Sequence, residues 1–195
     1  MSFKISDNTG DGNGLKIDST NKAAVRAVIL STQNEGTVHG DSFIIGSGVI
    51  TLTNTAATAV LFFQNDSDRD VLITGVNVGI GTSAGATTCA VALVVYRNPT
   101  TMASGNGCAN IQNNNFGSSN SFCSTSIKGA VGATLTAGSV FFAGYISLNN
   151  LTQVDTSVTL PKGKSIGFLL TAPAGNTSLP VGLGMEITYL QTGVL

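Results

Sequence analysis

Thr58-Ala-Val-Leu-Phe-Phe-Gln-Asn-Asp-Ser-Asp-Arg-Asp-Val-Leu-Ile-Thr-Gly-Val-Asn-Val-Gly-Ile80 sets two apolar runs, Val60–Phe63 and Val71–Ile73, on either side of a polar hexapeptide, Asn65–Asp70. Both runs have strand length and are rich in β-branched and aromatic residues, and the hexapeptide has turn composition. The stretch therefore reads as two strands, Thr55 to Gln64 and Val71 to Ile80, and an antiparallel hairpin pair is expected.

Outward from this pair the same grammar continues. Phe43-Ile-Ile45 and Val49–Thr53 read as a strand pair around a Gly46-Ser-Gly48 turn, and Thr88–Tyr96 as a further strand. Gly138–Ile146, Val158–Leu160, Ser165–Thr171 and Val181–Leu190 follow, with turns at Pro161–Lys164 and Ala172–Asn176. Asn98–Ser126, rich in Gly, Ser and Asn, reads as an extended loop with a role of its own. Eight or more short strands and no amphipathic segment of helical length specify an all-β chain, an antiparallel β-sandwich of jelly-roll type.

Two aromatic pairs constrain that sandwich. Phe62-Phe63 and Phe141-Phe142 each lie inside a strand, where successive side chains point to opposite faces. One ring of each pair belongs to the core, and the other needs a second cover. Another subunit or loops folded over the outer face would serve equally.

Residues 1–36 differ from 37–195, the sandwich domain. They hold Lys4, Lys16, Lys22 and Arg26, four of the nine basic residues, and the turn cluster Asp7–Gly14. Leu15-Lys-Ile-Asp18 alternates apolar and polar, and Ala23–Leu30 is a second apolar run that could be a strand or a short helix; a two-strand hairpin within an N-terminal arm is the favoured reading.

Composition narrows the function. Only 10% of the 195 residues are charged, His39 is the one histidine, and the formal net charge is −1. Nothing attracts nucleic acid, and the longest apolar run, near Ala90–Tyr96, is too short to span a bilayer. The beginning of the chain shows neither a secretory leader nor a lipid anchor, so synthesis in a cytoplasm is expected.

No catalytic, cofactor or metal site is assigned. Cys89, Cys108 and Cys123 lack metal-ligand spacing and read as reduced thiols. Asp66, Asp68 and Asp70 form a D-x-D-x-D string, but Val71 and Asn77 stand where a calcium loop needs Gly and an acid. Asp7, Asp11, Gly12 and Asp18 fit such a loop better, although Thr9 replaces one acid and the flanks are not helical. Gly79-Ile-Gly-Thr-Ser-Ala84 has the outline of a dinucleotide fingerprint without a βαβ unit, and reads as a glycine-rich strand end. Asn65-Asp-Ser67, Asn150-Leu-Thr152 and Asn176-Thr-Ser178 match the glycosylation pattern by turn composition alone. Glu35 and Glu186, the two glutamates, form no pair for a glycosidase, and no serine or cysteine can be matched to a base other than His39.

Several phrases carry a resemblance: Leu15–Asp18 with Lys22–Val28, Ile50–Thr53, Val60–Asn65, Val95-Tyr-Arg-Asn-Pro99, Leu160–Gly167 and Pro173–Ser178. Over most of its length the chain resembles the small jelly-roll structural proteins of tailed-bacteriophage virions, the decoration or cement proteins of the capsid. The resemblance implies a non-enzymatic protein on the outer capsid surface, partnered by the major capsid protein and by copies of itself, commonly as a homotrimer. It implies an arm that binds the shell, for which the candidates are Leu15, Lys16, Ile17, Lys22, Val25, Arg26 and Val28. Asp66, Asp68, Arg69 and Asp70 are the candidate exposed recognition turn. The alternative is the receptor- or glycan-binding head of a fibre or baseplate protein, with Asn98–Ser126 and the Asp66–Asp70 turn carrying recognition.

Overall fold

In the computed structural model, residues 32–53, 56–82, 90–122, 124–147, 151–176 and 178–190 are described. They belong to a compact unit that begins at Thr32. The arm candidates Leu15 to Val28, the Asp7–Asp18 cluster, Cys89 and Cys123 lie outside the described residues.

A short helix, α1 (Thr32–His39), opens the unit and begins within the segment read as the N-terminal arm. It packs on the strands through Gly36, where a Cβ would strike the Thr188 hydroxyl, so only glycine permits this approach. Twelve strands follow: β1 (Ser42–Leu52), β2 (Ala57–Asn65), β3 (Val71–Ile80), β4 (Ala90–Arg97), β5 (Thr101–Ala103), β6 (Asn110–Asn113), β7 (Ser124–Lys128), β8 (Thr134–Thr136), β9 (Ser139–Ser147), β10 (Leu151–Leu160), β11 (Ser165–Thr171) and β12 (Leu179–Tyr189). No helix among the described residues is long and apolar enough to cross a membrane.

Two five-stranded antiparallel sheets form a sandwich, one ordered β10-β3-β12-β1-β6 and the other β7-β2-β11-β4-β9. The long strands pair in a nested way, β1 with β12, β2 with β11, β3 with β10 and β4 with β9. That nesting is compatible with a jelly roll. The core between the sheets takes Phe43, Ile45, Leu52, Leu61, Phe63, Ile73, Phe168, Met185 and Ile187, all at most 1% exposed.

Several local expectations give way to longer-range contacts. Gly46-Ser-Gly48 is not a turn between two strands but a bulge inside one continuous β1. Gly48 takes a φ of 70°, and the buried Ser47 hydroxyl donates to the Gly48 carbonyl and accepts the Leu183 N–H at 2.9 Å, filling the gap in the ladder. β2 and β3 are not a hairpin pair either, for they lie in opposite sheets and Asn65–Asp70 arches between them. The expected loop at Asn98–Ser126 contains β5, β6 and the start of β7: β5 pairs with β8, β6 adds to β1, and β7 adds to β2. β10 begins seven residues before Val158, at Leu151.

The two Phe pairs resolve differently. Phe63 enters the main core, and Phe62 on the opposite face is covered by Ala59 of β2 itself, Ile127 of β7, and Met102, Ala133 and Leu135 of the two-stranded β5–β8 ribbon and its flank. Loops folded over the outer face are therefore the cover at this pair. At Phe141-Phe142 a bulge interrupts the β4–β9 register between Val95 and Tyr96, so that Phe142 pairs with Val95 and Val140 with Tyr96. The extra residue is Phe141, and both rings face the space between the sheets instead of opposite faces.

Candidate functional site

Three surfaces gather the residues that the sequence marks for function. The first is the β2–β3 arch. Asn65 is fully buried and its amide donates to the carbonyls of Arg69 and Leu160, each at 2.9 Å. Its carbonyl oxygen accepts the Ser67 N–H at 3.1 Å and the Ser67 hydroxyl at 2.6 Å. An Asx turn is thus locked to the end of β10.

The acids of the arch point to separate partners. Asp66 accepts from Gln64 Nε2 and from Thr125 Oγ1, both at 2.7 Å. Burial raises its pKa, but the bonds from Thr125 and Gln64 outweigh that and hold the carboxyl below its ordinary value. Asp68 is exposed and accepts from Lys162, whose hydrogen bond and charge lower the Asp68 pKa while Asp68 raises that of Lys162. Arg69 turns inward: its guanidinium meets Asp41 Oδ2 at 2.9 Å and lies 4.3 Å from the Tyr189 ring centroid, tying the arch to β12. Asp70 is exposed, and its carbonyl accepts the Leu190 N–H at 2.9 Å. Among the described residues no three His, Cys, Asp or Glu side chains come together in a metal-holding group.

The second surface is the asparagine-rich turn after β6. Asn113 and Asn120 donate to the Gly40 carbonyl, at 2.8 and 3.3 Å, and Asn115 donates to that of Val38 at 3.1 Å. Asn114 reaches the Ser42 hydroxyl at 2.9 Å. These amides clamp the end of α1 to the start of β1, leaving Phe116 outward at 98% exposure. His39 is exposed at the end of the same helix, and Cys108 is exposed with a free thiol.

The third surface is the open side of the sandwich, where β9 ends one sheet and β10 the other. Between them lies a cavity of about 280 Å³ walled by Phe141, Phe142, Val158, Ile166 and Phe168. A neighbouring hollow of about 340 Å³ continues past Phe141 and Val158 to Arg97 and Lys164. On β9 itself, Val140, Phe141, Phe142 and Tyr145 are 58, 56, 47 and 81% exposed. Sequence reasoning marked Phe141-Phe142 as needing a second cover; the exposure of Val140 and Tyr145 beside them carries no sequence signal, because an outward ring and a core ring alternate identically.

The four sheet-end strands differ sharply in polarity. β6 is four residues with three amides, β7 is five residues ending in Lys128, and β10 carries Asp155 at a bulge. Short length, charge and bulges are the usual protections of an exposed edge. β9 is nine residues, SVFFAGYIS, with no charge, amide or proline. No family model matches the sequence, and no curated protein matches it.

Proposed function

We propose that this chain is a non-enzymatic structural protein of a tailed-bacteriophage virion, a decoration or cement protein that sits on the outer capsid surface in many copies. The observation that carries the reading is β9, an uncharged edge with exposed aromatics bordering an apolar groove. Such a surface suits lasting contact with protein. Two acids of the β2–β3 arch support the same reading, since Asp66 and Asp68 are each engaged by a structural partner and neither lines the groove.

In this reading the N-terminal segment reaches the major capsid protein. Leu15, Ile17, Val25 and Val28 supply apolar contacts, and Lys16, Lys22 and Arg26 meet an acidic shell surface. An extended segment of this kind gains affinity by adding main-chain hydrogen bonds to a sheet edge, and a lattice of copies multiplies it. Deletion of residues 1–31 tests the assignment, because it spares α1 and its contact through Gly36. Sedimentation with empty heads should show binding lost while circular dichroism still reports a folded β protein. Undiminished binding by the truncated chain would overturn the role of the segment.

A further inference from the structure

We propose that β9 is a self-association edge, along which two copies of this chain pair antiparallel across a two-fold axis at Ala143. The inference deepens the reading of a protein that works in many copies and rests on that reading only for its biological setting.

The argument starts from the composition of β9. Of the strands that end a sheet, it alone combines length with a complete lack of charge, amide and proline. Among the described residues one side of β9 pairs with β4 and nothing pairs with the other. An edge strand of this kind is a template for another strand.

The sequence of β9 selects a second copy as that strand. Folded about Ala143 with the Phe141 bulge kept, β9 is self-complementary: Ala143 faces Ala143, Phe142 faces Gly144, and Val140, the next residue in register beyond the bulge, faces Tyr145. Within one chain the Phe142 ring already lies over Gly144, where a Cβ would sit 2.8 Å from the ring Cζ. Across the axis the ring again meets a residue without a side chain, so two bulky rings are accommodated side by side. Val140 and Tyr145, both exposed on the outer face, give two cross-strand contacts between a β-branched and an aromatic side chain, one on each side of the axis.

Electrostatics permits the same arrangement. A two-fold axis places every group near its own copy, so a charge on the axis would repel itself. The cations lining the adjoining hollow, Arg97 and Lys164, lie toward Ser139. That is about 13 Å along the strand from Ala143, beyond a Debye length at physiological salt.

The test uses the full chain, with its mass read by sedimentation velocity across a concentration series. The expected species is a dimer of the 19.8 kDa chain. Ala143→Lys sets two ammonium groups opposite each other at an exposed position; it should raise the dimer dissociation constant by on the order of 100-fold, with unchanged circular dichroism. Ala143→Cys with a short bis-maleimide should give a crosslinked dimer well above that formed through the native thiols. A monomer at every concentration, a dimer indifferent to Ala143→Lys, or a trimer as the resemblance implies would each overturn the proposal. So would a monomer that loses head binding with Ala143→Lys, which would assign β9 to the shell and leave the proposed function standing. A dimer that fails to bind heads would instead sink the proposed function and leave the β9 pairing intact.

Discussion

Phe62-Phe63 and Phe141-Phe142 are the same dipeptide in two strands of one sheet, and their fates are opposite. In β2 the register is regular at the pair, so the rings diverge, one into the core and one under the β5–β8 ribbon, and neither is more than 1% exposed. In β9 a bulge turns both rings toward the open side of the sandwich, where about half of each stays in solvent. A ring pair in a strand therefore does not by itself announce a core or an interface. What decides is whether the chain supplies its own cover: at β2 it brings Gly129–Ala133 back over the strand, held by Gly129 N–H to Val60 and Ala59 N–H to Ala133.

Substitutions can break that contrast or sharpen it. The largest effect belongs to Phe63→Ala, which empties a fully buried site in the main core and should lower unfolding free energy by about 3–5 kcal/mol in urea titrations. Gly129→Ala attacks the cover itself, since a methyl there would fall on the Ala59 carbonyl. Lifting the segment off Phe62 should cost about 1–3 kcal/mol and increase amide exchange at Ala59. Phe142→Ala, at 47% exposure, should cost only about 1 kcal/mol in the monomer. A loss there equal to that at Phe63 would erase the distinction between the pairs. The smallest effect is at Asp66, whose pKa is lower in the folded chain despite burial, owing to the bonds from Thr125 and Gln64. Its stabilisation is present above the unfolded value of about 4 and is lost as pH falls through the folded one. Asp66→Asn should flatten the fall in thermal midpoint below about pH 4, and an unchanged acid limb would contradict that assignment.

The strands were legible where their sequence is locally consistent. Val71–Ile80 and Ser165–Thr171 are read with their observed bounds because apolar runs there end at turn residues. What stayed hidden is decided by groups distant in sequence. Gly46-Ser-Gly48 looks alike as a turn or a bulge, and the Leu183 N–H on Ser47 settles which. Asn65–Asp70 has the same composition as a hairpin loop or an arch between sheets, and the bond from Asn65 to Leu160 fixes the arch. Arg69 reads as an exposed recognition residue, but its partners, Asp41 and Tyr189, lie 28 residues before it and at the end of β12. The bulge that gathers Phe141 and Phe142 leaves no local mark, because its signal is the register with β4.

The nesting of β1 with β12 has a consequence in time. The strands at the middle of one sheet come from opposite ends of the compact unit, and their register runs from Ser42 with Thr188 to Leu52 with Leu179. On a ribosome, β1 can pair early with β6 along one edge, but its other edge waits with its hydrogen-bonding groups unmatched until Leu179–Tyr189 has emerged. Such distant closure makes for slow folding. For that interval β1 and β3, which flank the missing β12, form an open seat for a foreign strand, so a chain stalled before Leu179 is the form of this protein most prone to aggregate.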